Sequence, residues 1–172
     1  MSNLIHDNNT TIGELTKKLA STLTDRGLRL TTAESCTGGN LAVALCAEEN
    51  TAEFYDVGMV VFSDAAKQKI LGVRPETLER FTAVSEETVT EMAANICDIA
   101  GADIGVAISG YAGPEGGDDG TAAGTVCFGW SFRGQTETST VLFSGECQDV
   151  VEKAVRYSLS ELIEKLSGWD NG

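Results

Sequence analysis

Three short segments carry the reactive side chains. Thr31-Thr32-Ala33-Glu34-Ser35-Cys36-Thr37-Gly38-Gly39 ends an extended run on a serine inside a glycine-rich turn that opens a helix, so it offers a hydroxyl and backbone amides to a ligand. Ser109-Gly110-Tyr111-Ala112-Gly113-Pro114-Glu115-Gly116-Gly117 follows a second apolar run, and Ser63-Asp64-Ala65-Ala66-Lys67 follows a third. A serine hydroxyl is a poor nucleophile until a base takes its proton. The single histidine, His6, stands in the N-terminal stretch, which argues against Ser-His-Asp catalysis within one chain and leaves Lys67 as the candidate base. Burial and a helix N-terminus both lower a lysine pKa, and the amides from Thr37 to Gly39 are candidates to hold an oxyanion. The chemistry is then acyl transfer through Ser35. Simpler alternatives stand beside it: Ser35 as a helix N-cap, Lys67 as a solvated surface residue, and Cys36 as a thiol nucleophile.

Composition narrows the partners. The 172 residues suit one domain, and 12 Lys plus Arg against 26 Asp plus Glu give a formal charge of −14, which disfavours nucleic acid and anionic membranes. No apolar run is long enough to span a bilayer, and the polar start lacks the pattern of an export signal, so a cytoplasmic protein is expected. The five cysteines, Cys36, Cys46, Cys97, Cys127 and Cys147, are odd in number and form no Cys-x-x-Cys pair, which supports neither a disulfide framework nor a zinc site. Asp118-Asp119 has the chemistry to bind a hard cation weakly, but reads more simply as a solvated loop.

The elements that must position these segments alternate. Thr11-x-x-Glu14 is a capping box, and Ile12, Leu15, Leu19 and Leu23 repeat at helical spacing up to Gly27. A strand is expected over Leu28 to Ala33, then a helix from Gly38 or Gly39. A buried strand is expected over Val57 to Phe62, then a helix with Asp64 as N-cap. Pro75 at N1 and Ser85 as N-cap open two more helices, the second bearing Val89, Met92, Ala93, Ile96 and Ile99 on one stripe. Asp103 to Ile108 is a third buried strand; Gly124 to Phe132 and Glu137 to Phe143 read as a hairpin, and Asp149 to Leu166 as a last helix. The pattern implies a three-layer α/β/α sandwich with a mixed, mostly parallel central sheet: residues 11–167 form the domain, with loose tails over 1–10 and 168–172. Ligands in such sheets bind beyond the carboxyl ends of strands, where all three segments fall.

The chain resembles the CinA C-terminal domain family over nearly all of residues 11–166. The resemblance rests on Ala33 to Gly39, Ser63 to Lys67, Ala83-Val84-Ser85-Glu86, Ser109 to Gly117 and Gly124-Thr125-Val126. It implies hydrolysis of the carboxamide of nicotinamide mononucleotide to nicotinic acid mononucleotide and ammonia, without metal or organic cofactor, in a homodimer. It further implies Ser35 as nucleophile and Lys67 as base, with Thr37, Gly38, Gly39, Ser109 and Gly110 lining the nucleotide pocket; Tyr111 is a candidate to stack on the ring. Three positions depart from the family pattern. Phe62 replaces a tyrosine, Asp64 an asparagine, and Cys147 an arginine suited to phosphate, for which Arg156 is the nearest substitute in sequence. Asp64 is expected to raise the Lys67 pKa.

Overall fold

The computed structural model describes residues 9–170. Most of the expected N-terminal tail, including His6, and the last two residues lie outside that range. Helix α1 (Ile12–Arg26) opens on the expected capping box, Thr11 Oγ1 accepting from Glu14 N while the Glu14 side chain accepts from Thr11 N. Strand β1 (Leu30–Glu34) and helix α2 (Asn40–Cys46) flank the serine turn. After a 3-10 turn over Thr51–Glu53 come β2 (Tyr55–Val60), α3 (Asp64–Leu71), α4 (Pro75–Phe81) and α5 (Glu86–Ala100). The chain ends with β3 (Ile104–Gly110), β4 (Thr125–Phe132), β5 (Gln135–Leu142) and α6 (Cys147–Ser167).

The sheet order is β2-β1-β3-β4-β5. β1 pairs in parallel with β2 and β3, whereas β3–β4 and β4–β5 are antiparallel. Four strands therefore run one way and β4 alone runs back, as the mixed three-layer reading requires.

Alternation along the strands assigns the two faces. Leu30, Val106, Ile108, Phe128 and Trp130 pack with α1, α2 and α6, while Ala33, Ala107 and Cys127 pack with α3, α4 and α5. The second face is built from small residues because α5 lies against it at close range. A Cβ at Gly105 would stand 2.6 Å from the Ala93 carbonyl oxygen, and one at Gly129 would stand 2.7 Å from that of Val89. The large face is closed by Trp130, fully buried, whose Nε1 donates to Ser158 O at 3.1 Å.

Several boundaries differ from expectation for definable reasons. β2 is an edge strand with alternating exposure rather than a buried one, since only β1 pairs with it. Ser63, not Asp64, caps α3, its hydroxyl accepting from Ala66 N at 3.0 Å; Asp64 is the first helical residue. α6 starts at Cys147, two residues early, because Glu146 and Asp149 form a capping box. The hairpin turn is the two residues Arg133 and Gly134, with φ of 46° and 89°, which suits the twist of the strands. The tail expected to be loose from Gly168 is held as far as Trp169. That ring lies 5.2 Å from Phe132, the guanidinium groups of Arg26 and Arg133 face it, and Arg26 donates to the Trp169 carbonyl.

Candidate active site

Ser35 leaves the carboxyl end of β1, and the sheet fixes its backbone. Ser35 N donates to Ile108 O at 2.9 Å, and on the other side Val61 N donates to Glu34 O at 2.8 Å. The ends of β1, β2 and β3 are thereby held in register, and the side chains that follow them meet.

Lys67 stands one turn into α3 and points back beneath the sheet end, 1% exposed. Its Nζ donates to Ser35 Oγ at 3.0 Å, to Val61 O at 3.0 Å and to Phe62 O at 2.9 Å. This arrangement serves both protonation states. An ammonium has three hydrogens for the three acceptors; a neutral amine gives its two to the carbonyls and turns its lone pair to Ser35. Burial lowers the Lys67 pKa below the ordinary 10.5, outweighing the opposing charges of Asp64 and Cys36. Asp64 thus raises the value, as expected, but does not dominate it. Cys36 is a poor rival nucleophile, because burial pushes its thiol up to about 12.

The hydroxyl opens on a cavity of about 540 Å³ lined by Ser35, Phe62, Asp64, Lys67, Leu78, the segment Thr82-Ala83-Val84, Ser109, Gly110, Tyr111, and Gly116 to Asp119. Ser109, Gly110 and Tyr111 are therefore brought to the serine and lysine. Ser109 also has a structural duty, its buried Oγ donating to Ala83 O at 2.7 Å. Gly117 lets its loop lie against Tyr111: an added Cβ would stand 2.8 Å from the ring.

Thr37, Gly38 and Gly39 do not line this cavity. Thr37 is fully buried and its hydroxyl donates to Glu34 Oε1 at 2.6 Å, while Gly38 N closes the turn onto Ser35 O at 3.0 Å. The Gly38 amide is thus committed within the turn. Phe62 acts through its backbone: its carbonyl accepts from Lys67, and its ring, 75% exposed, stands at the rim. Cys147 lines a separate groove with Ile12, Asn40 and Val43. Arg156 bonds Glu152 at 3.0 Å and does not line the serine cavity, so it does not replace an arginine there.

Two contributors escaped the sequence reading. Glu34, 1% exposed, accepts from Thr37 Oγ1, from Leu41 N at 2.9 Å and from Ala42 N at 3.1 Å, and so caps α2, for which Gly39 has no side chain. The available signal was a carboxyl in a buried strand six residues before a helix. Thr82 is the other. Its φ of 68° and ψ of 173° are unusual for a β-branched residue, a conformation costing about 1–3 kcal/mol. Ser85 Oγ and Thr88 Oγ1 hold it by donating to its carbonyl at 3.0 and 2.7 Å.

A sequence profile described as the CinA C-terminal domain matches residues 12–166. The chain belongs to the CinA C-terminal domain family. Within it, the chain is 53% identical over 156 residues to Protein YdeJ of Escherichia coli strain K12, covering 91% of each chain. It is 40% identical over 153 residues to the nicotinamide-nucleotide amidohydrolase PncC of the same strain, covering 88% of this chain and 93% of that one. The crystal structure of a competence or damage-inducible protein from Enterobacter asburiae superposes with a TM-score of 0.91 at 82% identity, covering 92% of this chain and 99% of that one. The CinA fold is thus shared. Among the described residues, no helix is long and apolar enough to cross a membrane.

Proposed function

We propose that the chain is an amidohydrolase that cleaves the carboxamide of a nicotinamide nucleotide or of its nucleoside, with Ser35 as nucleophile and Lys67 as general base and acid. The observation that carries this reading is the 3.0 Å contact between Lys67 Nζ and Ser35 Oγ, with two carbonyls engaging the other hydrogens of the amine. The 40% identity to the amidohydrolase supports the substrate class.

Neutral Lys67 takes the hydroxyl proton as Ser35 Oγ forms a bond to the amide carbon, whose carbonyl oxygen becomes the oxyanion. The C–N bond then breaks, Lys67 returns the proton to the leaving nitrogen, and ammonia departs. Water, deprotonated by the same amine, cleaves the ester to the carboxylic acid and frees Ser35. Ser109 and Gly110 form the wall beside the ligand, and Tyr111 stacks on its ring. The reading needs neither metal nor organic cofactor and places the reaction in the cytoplasm. Exposed Val60 and Phe62 at the edge-strand end support a homodimer formed through that side.

The direct test is ammonia release from nicotinamide carboxamides, phosphorylated and unphosphorylated, with acid-quenched samples searched for an acyl ester on the Ser35 peptide. The ester is expected on Ser35. Ammonia without it, or an adduct on Cys36, removes the serine mechanism; silence with every carboxamide removes the amidohydrolase.

The rate should carry the lysine's signature. Protonation of Lys67 silences it, so kcat/KM rises with pH along a limb set below the ordinary lysine value. Asp64 raises the Lys67 pKa, so Asp64→Asn moves that limb to lower pH, and the displacement shrinks as salt screens the exposed carboxylate of the parent. A limb that stays in place would exclude Lys67 as the titrating base.

A second reading is a paralogue that binds a nucleotide-like ligand with weak or no turnover. The charge of Asp64, which opposes deprotonation of Lys67, favours it. Ligand-induced thermal stabilisation without ammonia would select it.

A further inference from the structure

The cavity's charge bears on what enters it. Asp64, Asp118 and Asp119 all line it and all are exposed. Lys67 is the only Lys, Arg or His among the lining residues, and its amine is buried on Ser35 and two carbonyls. Among the described residues of one chain, a phosphate entering here meets three carboxylates and no free guanidinium or ammonium. The whole chain adds to the effect with its formal charge of −14.

We propose that the Ser35 cavity selects carboxamides borne on a flat organic cation and discriminates against their phosphorylated forms, so that its substrate class is a pyridinium nucleoside rather than a nucleotide monophosphate. The inference rests on the amidohydrolase reading and specifies the ligand of the same site. The aspartates are the specificity-determining residues, and Tyr111, which lines the same cavity, offers the cation a ring face.

Two further observations agree. The Tyr111 hydroxyl is held above its ordinary pKa by burial first and then by Asp119, against a hydrogen bond with Thr82, with Asp64 and Asp118 adding smaller contributions, so the charge of all three carboxylates is felt at this ring. Thr121 meanwhile bonds Asp119 and keeps its carboxyl below the usual range, so that residue stays charged at neutral pH. A metal ion is a poorer match than an organic cation, because among the described residues no group of three His, Cys, Asp or Glu is arranged to hold one. The Cys147 groove is separate from the serine cavity and offers the ligand no cation either, its only charged lining residue being Glu152.

The test compares nicotinamide riboside, a cation, with nicotinamide mononucleotide, its phosphate ester, in the parent chain and in an Asp118→Asn/Asp119→Asn variant. The expected result is a preference for the riboside in kcat/KM of about tenfold or more at low salt, narrowing as salt is raised and largely lost in the variant. Turnover with equal or better use of the mononucleotide overturns the inference and leaves the amidohydrolase standing. A riboside preference unchanged in the variant removes the two aspartates as its cause and overturns the inference as well. If neither compound yields ammonia, the amidohydrolase reading fails, and calorimetric binding decides selectivity. Tighter binding of the riboside supports it; equal or tighter binding of the mononucleotide, or binding of neither, overturns it.

Discussion

Ser35→Ala is expected to lower ammonia release by on the order of 10³-fold or more, the loss that follows removal of a serine nucleophile from a site that keeps its other donors. The change should barely touch the fold. The Ser35 backbone is fixed by its bond to Ile108 O, and its side chain contributes only the contact with Lys67 and a long 3.4 Å approach to Phe62 O. Lys67 keeps both carbonyl acceptors in the variant, so its amine is not orphaned. Matched thermal melts with lost turnover would establish the role. Turnover within a few-fold of the parent would end the case for Ser35 and, with Cys36 pushed up to about 12, would call for a nucleophile other than either side chain.

The largest expected loss of stability follows Glu34→Ala. One carboxyl satisfies the Thr37 hydroxyl and two amides at the start of α2, and all three donors lose it together. Unpaired buried donors cost about 1–3 kcal/mol each, and water reaching part of the gap offsets some of that, so a loss of about 3 kcal/mol or more is expected. For a chain of this length that corresponds to a fall in Tm of about 6–12 °C. Glu34→Gln keeps an acceptor oxygen and should lose less than half as much. A melt of Glu34→Ala within about 1 °C of the parent would show that the serine turn does not depend on this carboxyl.

The serine turn, the lysine and the second glycine loop were legible because strand ends carry local signals: an apolar run followed by glycine, a hydroxyl or a capping residue. Ser35, Lys67, Ser109, Gly110 and Tyr111 do come together. What was illegible is instructive. The resemblance implies Thr37 as a pocket residue, but a hydroxyl two positions after a nucleophile has the same pattern whether it turns to ligand or to Glu34; side-chain direction decides, and the motif does not encode it. The edge position of β2 was hidden because an apolar strand segment gives no sign of whether one neighbour or two will pair with it. Thr82 was missed for a related reason, its left-handed φ being imposed by Ser85 and Thr88 rather than by its own preference. The distinction between Ser63 and Asp64 as cap is a choice between adjacent residues that both favour the position.

The amine of Lys67 hangs from the carbonyls of Val61 and Phe62, just past the end of a border strand with a neighbour on one side only. As the proposed base, it depends on dryness. Strands at a sheet's border loosen before its centre does, and any such loosening lets solvent reach the nitrogen and return it to the protonated form. On the proposed reading, catalytic competence and global integrity are separable in the single chain, so gentle warming or dilute denaturant is expected to extinguish ammonia release while the interior built around Trp130 and Phe128 is still intact.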